Sequence, residues 1–318
     1  MAKNNDREAN RLDNAARAGW LYYVAGHNQD QIAAKLGLSR QAAQRLISLA
    51  ISEKLIKFRL DHPIAHCMEL CQKLKHRFDL KHCEVAPDDL NPQDSFQGVP
   101  QACASTMEQF LKSDEPKIIT LGTGRILRAC VDQLSQMDCP QHRIVSLVGN
   151  ITPEGAASSY DVIVRMADTT NAVRYPLPVP VIAASIDERK VLQAQRQYQH
   201  ILALAEQTDV SFVGIGQMSK DAPLVQDGFI TRNELKLVVG QGAVGEIIGW
   251  VFDKEGKIIE DPVNARVSSM PVTPDSEKIV FGVAAGKAKI NAIFSALQGK
   301  LINSLITNEY TAEQLLKK

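Results

Sequence analysis

The chain shows two patterns of apolar and polar positions. Over residues 1–61, apolar residues recur three and four positions apart, which is the spacing of amphipathic helices. Over residues 62–318, short apolar runs alternate with helical stretches, which is typical of an α/β domain with a mostly parallel sheet. The change falls at Pro63, a residue that favours a boundary. The pattern therefore predicts two domains, residues 1–61 and 62–318.

The helical part is expected to contain a first helix that stops near the sequence AGHN and two later helices that meet at a turn. Gly37 stands at the turn, where the backbone often needs a positive φ. Ser39 is a suitable N-cap for the third helix, and Leu38 is expected to fill the angle between the two helices. The residues expected to face inward are Ile32, Ala33, Leu36, Ala43, Leu46, Ile47 and Ala50.

A short helix, a tight turn and a second helix form the helix-turn-helix pattern, in which the second helix enters the major groove of double-stranded DNA. Arginine can contact guanine or phosphate, and glutamine can pair with adenine. An ordinary helical hairpin with a solvated charged face is the alternative. We predict a DNA interface on the third helix, followed by a basic strand or wing. The predicted DNA-binding residues are Ser39, Arg40, Gln41, Gln44, Arg45, Lys57 and Arg59.

Charge is distributed unevenly along the chain. Residues 1–61 contain ten Lys and Arg against six Asp and Glu, although the whole chain has 36 of each. A basic end on a mildly acidic body fits a nucleic-acid module joined to a sensing domain. Because no apolar run approaches the roughly 18 residues that span a bilayer, we expect a cytoplasmic protein with reduced cysteines and no membrane partner.

The second part contains several predicted strands and helices. The predicted strands are 117–122, 143–149, 179–185, 210–216, 247–253, 278–286 and 302–307. The predicted helices are 103–113, 124–137, 159–168, 190–207 and 287–297.

Ligands of such sheets bind in the loops after the carboxyl ends of the strands, and several of these loops carry glycines and polar groups. Glycines let the backbone approach a ligand, and free amides at a helix start suit phosphate or hydroxyl oxygens. Glu246, flanked by small and apolar residues, needs hydrogen-bond donors such as sugar hydroxyls. The alternative to ligand binding at these positions is that the glycines only permit turns and the lysines are only solvated. The predicted effector-binding residues are Gly122, Thr123, Gly124, Arg125, Gly149, Asn150, Gly216, Gln217, Glu246 and Lys289.

The sequence matches the known motifs of enzymes and metal sites poorly. The stretch GTGRIL lacks the third glycine of a dinucleotide loop, and GVAAGKA lacks the spacing of a phosphate loop. The Cys- and His-rich stretch from His66 to Cys83 lacks paired Cys-x2-Cys spacing, so buried cysteines on a helix are favoured over a metal site. We therefore predict no catalytic residues, no metal and no cofactor. A sugar-phosphate isomerase- or deaminase-like enzyme with a helical interaction module is the competing interpretation.

The chain resembles the SorC family of bacterial transcriptional regulators, with its DeoR-type sugar-binding domain, nearly from end to end. The stretches that carry this resemblance are IAAKLGLSRQAAQRLI, LGTGR, VGIGQM, GAVGEIIGWVFDKEGKII and AAGKAKINAIFSALQGKLINSLITNEYTAEQLL. The last two are the most specific.

The resemblance implies a helix-turn-helix domain followed by a large Rossmann-like sheet domain of the sugar-phosphate isomerase type. It implies a regulator of carbohydrate or polyol catabolism, controlled by a sugar, polyol or sugar phosphate and assembled as a tetramer of paired dimers. A quorum-signal or nucleoside operon is the alternative within the family.

The resemblance also places particular roles on residues of this chain. It places the acidic effector contact on Glu246, where the family more often has Asp, and the lysine associated with phosphate on Lys289. Ile126 replaces a threonine that is common in the family after Arg125.

Overall fold

The computed structural model describes residues 2–57, 64–88, 96–151 and 162–318. The chain divides into two compact units, Met1–Asp61 and His62–Lys318. The first unit contains helices α1 (Ala2–Tyr23), α2 (Gln29–Leu36) and α3 (Arg40–Ser52). The second unit contains α4 (Ala65–Phe78), β1 (His82–Ala86), α5 (Val99–Leu111), β2 (Ile118–Leu121), α6 (Arg125–Val131), β3 (Arg143–Ile151), α7 (Val162–Thr170), β4 (Val173–Pro180), α8 (Ile186–Gln193), α9 (Arg196–Glu206), β5 (Val210–Gly214), β6 (Gly216–Gln217), α10 (Pro223–Gln226), α11 (Arg232–Gly240), β7 (Gly245–Ile247), β8 (Trp250–Phe252), β9 (Ile279–Val283), α12 (Ile290–Gln298), β10 (Ser304–Asn308) and α13 (Glu309–Lys317).

Local capping explains why α2 and α3 begin and end where they do. Asn28 and Gln31 form a reciprocal capping box at the start of α2, with both hydrogen bonds at 2.9 Å. Gly37 ends α2 with φ 66°, a left-handed conformation that costs glycine little. The Oγ atom of Ser39 accepts a hydrogen bond from the backbone N–H of Ala42 at 3.2 Å. The predicted glycine turn and serine N-cap are thus confirmed.

The first unit packs around a small apolar cluster formed by all three helices. Its fully buried members are Ala18, Leu21, Ile32, Ala33, Ala43 and Ile47. The predicted inward positions of α2 and α3 are buried or half-buried. The prediction for Leu38 was wrong, because this side chain is 40% exposed and does not fill the angle between the helices. Leu38 instead lines an open groove together with Ala42, Leu46 and Leu49 of α3.

The second unit is built on a seven-stranded sheet in the order β1-β10-β9-β5-β2-β3-β4. Every pairing in this sheet is parallel. A second sheet, β6-β7-β8, is antiparallel. The predicted α/β class with a mostly parallel sheet is confirmed. The rings of Phe212 and Phe281, on the neighbouring strands β5 and β9, stack with centroids 5.0 Å apart and lie in the core.

The structure corrects several predicted elements. The strand predicted at 179–185 is instead β4, which starts at Val173 and lies at the sheet edge. Three prolines on β4 disguise it, although an edge strand tolerates residues that cannot donate to the ladder. The strand predicted at 247–253 is a hairpin of β7 and β8, which turns at Ile248 and Gly249 with φ 46° and 89°. The helix predicted at 190–207 is two helices, α8 and α9.

The order of the strands creates a reversal beside β2. From β2 the chain proceeds to β3 and β4 on one side, and then returns to β5 on the other side. The carboxyl ends of β2, β5 and β9 therefore lie next to one another at one edge of the sheet. A reversal of this kind is where open α/β sheets bind ligands.

No described helix is long and apolar enough to cross a membrane. Within the described ranges, no group of three or more His, Cys, Asp or Glu side chains could hold a metal ion. The six cysteines are free thiols, five of them buried and Cys71 half-buried.

Candidate effector site and candidate DNA interface

Four loops meet at the carboxyl edge of the sheet. A side chain added at Gly122, after β2, would meet Ile248 of the β7–β8 turn at 3.2 Å, and one at Gly214 would meet the backbone oxygen of Thr123 at 3.5 Å. The loop after β9 joins them through Lys289, whose Nζ donates to the backbone oxygen of Ile215 at 2.7 Å. The structure thus brings together loops that lie far apart along the chain.

Glu246 is seated against Gly216. The two residues pair directly in the small antiparallel sheet, and a Cβ atom at position 216 would lie 2.1 Å from the Oε1 atom of Glu246. The other carboxylate oxygen, Oε2, accepts a hydrogen bond from the backbone N–H of Gly249 at 2.9 Å. Burial raises the pKa of Glu246, and the hydrogen bond from Gly249 and the charge of Lys289 oppose this rise. One oxygen therefore fixes the carboxylate, while Oε1 has no protein partner among the described residues and is available to accept from a ligand.

Lys289 provides the matching positive charge. It follows Gly286, whose φ of 108° turns the chain at the end of β9 into a short 3-10 helix. Burial lowers the pKa of Lys289, and the charge of Glu246 raises it. The two charges influence each other without a direct ion pair within 4.0 Å in the described part of the chain. A ligand that has both donors and acceptors can bridge such a pair.

Arg125 begins α6 and forms an ion pair with Asp227. The Arg125 Nη2 atom lies 2.7 Å from Asp227 Oδ1, and Nη1 lies 3.5 Å from Oδ2. The charge of Arg125 also acts on Lys289, and the charge of Asp227 acts on Glu246. The site thus contains two cations and two carboxylates that affect one another.

The glycines of the predicted loop after β2 have separate functions. The N–H of Gly122 donates to Phe212 of β5 at 2.8 Å, which continues the ladder between the two strands. Gly124 has φ 114°, a conformation that L side chains rarely adopt, and a Cβ there would meet nothing within 4 Å. Gly124 thus turns the chain into α6 and leaves open space beside the backbone, as the predicted ligand loop requires.

The structure separates other predicted residues from this group. Gln217 follows Gly216 in β6, so its side chain points to the opposite face from Glu246. Its Nε2 donates to the backbone oxygen of Asp221 at 3.2 Å, and its Oε1 is buried without a partner in the described residues. A Cβ at Gly149 would lie 2.0 Å from the backbone oxygen of Val179, so glycine is needed there for the close approach of β4. Asn150 also lies in β3, but its side chain is outside the described set.

The outward face of α3 carries the residues that were predicted to contact DNA. Arg40, Gln41, Gln44 and Arg45 are all exposed. The Nε atom of Arg40 donates to Gln29 Oε1 at 3.4 Å and lies 3.6 Å from Asp30 Oδ1. These contacts orient Arg40 from the start of α2, although an exposed pair of this kind adds little stability.

Arg45 lies on a different side of α3 from Arg40. It lines a groove of about 560 Å³ between α1 and α3, together with Asn14, Leu38 and Leu49. This groove lies wholly within the first unit and includes none of the predicted effector residues. The groove leaves the guanidinium group accessible, which a phosphate contact requires.

The predicted wing is only partly described. Residues 53–57 form turns without a strand, and Lys57 is exposed and has contacts of its own. Arg59 lies outside the described residues.

Comparisons with known proteins identify similar sequences over nearly the whole chain. The Sugar-bind family model, a sugar-binding domain, matches residues 62–317. The chain is 32% identical over 302 residues to the erythritol catabolism regulatory protein EryD of Brucella abortus, which covers 95% of this chain and 96% of EryD. It is 29% identical over 309 residues to the transcriptional regulator LsrR of an Enterobacter species, covering 95% of this chain and 92% of LsrR.

A solved structure has a similar fold. The full-length sorbitol operon regulator SorC from Klebsiella pneumoniae has a TM-score of 0.71 and 25% identity, and the match covers 95% of this chain and 97% of that one. This chain belongs to the SorC family. The resemblance predicted from the sequence motifs is therefore confirmed.

Asp227 is a side chain of the candidate effector site that the sequence did not indicate. It lies 102 positions from its partner Arg125, in a short stretch before Gly228 that gives only a turn signal. The backbone oxygen of Ile215 and the N–H of Gly249 were also missed. Nearly all residues carry these backbone groups, so the amino-acid type does not indicate which of them line a site. The order of the strands decides which loops lie side by side and therefore which charges can pair. The sequence motifs do not specify this order.

Proposed function

We propose that this protein is a transcriptional regulator that binds an operator through α3 and responds to a small polyhydroxylated effector at the carboxyl edge of its sheet. The effector class is a sugar, a polyol or a sugar phosphate. The observation that supports it most directly is the Glu246 carboxylate, held by one oxygen against Gly249 and facing the charge of Lys289. Carboxylates in such sites accept hydrogen bonds from ligand hydroxyls.

The first unit supplies the DNA side of the proposal. Ser39 caps α3 through Ala42, and a capped helix start can approach a phosphate. Exposed Arg and Gln side chains on α3 match the groups that read the major groove. Two recognition helices from paired subunits would contact two half-sites one helical turn apart, or a multiple of it. This geometry requires a dimer, and the resemblance to the SorC family implies two such dimers, so we propose a homotetramer of paired dimers.

The effector acts by differential affinity for two arrangements of the regulator. A ligand shifts an equilibrium only as far as it binds one arrangement more tightly than the other. The effector bridges Glu246 and Lys289, and so joins the β7–β8 hairpin to the loop after β9. The arrangement that holds these two segments at the correct separation is the one that the effector favours. That arrangement sets the spacing of the recognition helices.

The experiment is a thermal melting panel of polyols, sugars and their phosphates, with erythritol first because one similar protein is an erythritol catabolism regulator. A ligand that binds only the folded protein raises its melting temperature by mass action. We expect one compound to do so and to change operator binding by the same protein. Glu246→Ala is expected to abolish the ligand response and to leave operator binding intact.

The competing enzyme hypothesis has a separate readout. Turnover of a sugar phosphate by the purified protein would support an isomerase- or deaminase-like activity. Ligand binding without turnover, together with operator binding that depends on α3, supports the regulator. Unchanged ligand affinity in Glu246→Ala would remove the basis for the proposed site.

A further inference from the structure

The two cations of the effector site already have anionic partners within the protein. The guanidinium of Arg125 approaches both oxygens of Asp227, at 2.7 and 3.5 Å. Lys289 interacts with the charge of Glu246 and donates to the backbone oxygen of Ile215 at 2.7 Å. The site therefore has no net charge from these four side chains. An incoming anion would have to compete with Asp227 for Arg125, and at Lys289 it would approach the charge of Glu246.

Asp227 is held in place by the backbone around it. Asp227 is the C-cap of α10, and its N–H donates to the backbone oxygen of Pro223 at 2.9 Å. Gly228, with φ 75°, reverses the chain directly after it. On either side, Leu224 and Ile230 are each only 4% exposed and are anchored in the core. Moving the carboxylate away from Arg125 by a backbone shift would disturb these contacts. The backbone of Asp227 is thus held in a position from which its carboxylate reaches Arg125.

Arg125 is more accessible than its partner. The side chain of Arg125 is 44% exposed and that of Asp227 is 17% exposed. A phosphate group that reached Arg125 would therefore lie close to the carboxylate of Asp227, and like charges in such proximity repel one another. The neighbouring Ile126 is buried and offers no hydroxyl to a phosphate.

We infer that Asp227 is a specificity-determining residue, which selects an uncharged polyol or sugar and rejects the phosphate ester of the same compound. This inference rests on the proposed function of the site and names its ligand class. The hydroxyls of an uncharged ligand can donate to Glu246 and accept from Lys289, and they leave the Arg125–Asp227 pair intact. Rejection of a competitor by a fixed repulsive group is a common source of specificity.

The test compares Asp227→Asn with the full-length wild-type protein, with binding measured by calorimetry. The probes are erythritol, erythritol 4-phosphate and inorganic phosphate. In the wild type we expect erythritol to bind at least about tenfold more tightly than its phosphate. In Asp227→Asn we expect affinity for both phosphate probes to rise about tenfold or more, because the repulsion is gone and Arg125 is released. Affinity for erythritol should change by less than about threefold.

Two further variants control for charge and for folding. Asp221→Asn removes the same charge from an exposed position on the same segment and should leave the preference unchanged. Asp227→Asn combined with Arg125→Gln should lose the gain in phosphate affinity. A wild type that prefers the phosphate ester, or equal gains in the Asp227 and Asp221 variants, would overturn the inference.

The outcome for the proposed function is separate. Failure of every polyol and sugar to bind would contradict that function. The inorganic phosphate measurement still decides the role of Asp227 in that case, because it depends only on Arg125 and Asp227. A phosphate affinity that does not differ between the wild type and Asp227→Asn would overturn that role.

Discussion

The carboxylate of Glu246 occupies the space that a side chain at position 216 would need. A Cβ atom on Gly216 would lie 2.1 Å from Oε1 and 2.9 Å from Cδ of Glu246. Real Cβ atoms essentially never approach other atoms so closely, so either residue 216 is glycine or the carboxylate moves. The glycine in the VGIGQM stretch is therefore linked to the acidic residue of the effector site, 30 positions later in the sequence.

Gly216→Ala is expected to displace the carboxylate of Glu246 and to weaken effector binding by about tenfold or more, since displacements near 1 Å in a preorganised site have effects of this size. The fold should survive, because the contacted atoms belong to a side chain that can rotate. Calorimetric titration with the effector, alongside circular dichroism, measures both properties.

Gly240→Ala is the matched control for this substitution. Gly240 ends α11, and a Cβ there would meet nothing within 4 Å. Alanine should be neutral or slightly stabilising, because it reduces the entropy of the unfolded chain. Equal loss of effector affinity in both variants would contradict the role assigned to Gly216.

Effector affinity should fall as the pH is lowered. The fall should begin at a higher pH than it would if the carboxyl group were exposed. Burial raises the pKa of Glu246, so the unliganded protein holds this proton up to a higher pH than an exposed glutamate does. Ligand hydroxyls donate to the ionised form, so binding releases that proton and strengthens as pH rises through the folded-state pKa. Titrations from neutral pH down into the ordinary range of a carboxyl group would measure the slope.

Glu246→Gln provides the comparison for this profile. The amide cannot ionise, so its residual affinity should show no dependence on pH from this position. A wild-type affinity that stays constant over the same range would show that ionised Glu246 does not bind the effector.

Arg40→Ala combined with Arg45→Ala should weaken operator binding and flatten its dependence on salt. Each lost phosphate contact lowers the slope of log K against log salt by about 0.9. Loss of a base contact would instead reduce the discrimination between operator and mismatched DNA by about 1–3 kcal/mol. Single substitutions would then assign the roles, with Arg45, in the α1–α3 groove, expected to contact phosphate.

The charge-matched control carries Arg143→Ala and Arg196→Ala, two exposed positions on the second unit. It removes the same charge without altering α3, and operator affinity should be nearly unchanged. A similar loss in both double variants would indicate non-specific attraction by net charge.

His142→Ala should destabilise the second unit by about 2–4 kcal/mol, from a cavity and the unsatisfied backbone N–H of Lys117. The ring is fully buried, and its Nδ1 accepts from the N–H of Lys117 at 3.1 Å. Its Nε2 therefore carries the proton and donates to the backbone oxygen of Leu111 at 3.0 Å. Urea unfolding measures the loss.

His142→Asn should recover part of this stability, because its Oδ1 can accept from Lys117. His76→Ala, at an exposed position on α4, is the control and should change stability by no more than about 0.5 kcal/mol. Equal effects at positions 142 and 76 would show that the buried hydrogen bonds of His142 contribute nothing.

The sequence by itself determined the parts of this protein that depend on local chemistry. The capped start of α3 follows from Ser39 and the turn before it from Gly37, because caps and left-handed turns involve residues only a few positions apart. The parallel α/β class follows from buried apolar runs between helical stretches. The family followed from motifs that are contiguous in the sequence, such as IAAKLGLSRQAAQRLI and GAVGEIIGWVFDKEGKII.

Only the tertiary structure decided which loops share a site and which charges pair. The order of strands places β2 beside β5 and β5 beside β9. Because these strands are neighbours, the segments that follow them bring Arg125 close to Asp227 and Glu246 close to Lys289. No local spacing specifies such an order, since the free energy that selects it comes from burying whole strands and helices together. For the same reason, β4 was displaced in the prediction: its prolines suit an edge position that only the assembled sheet defines.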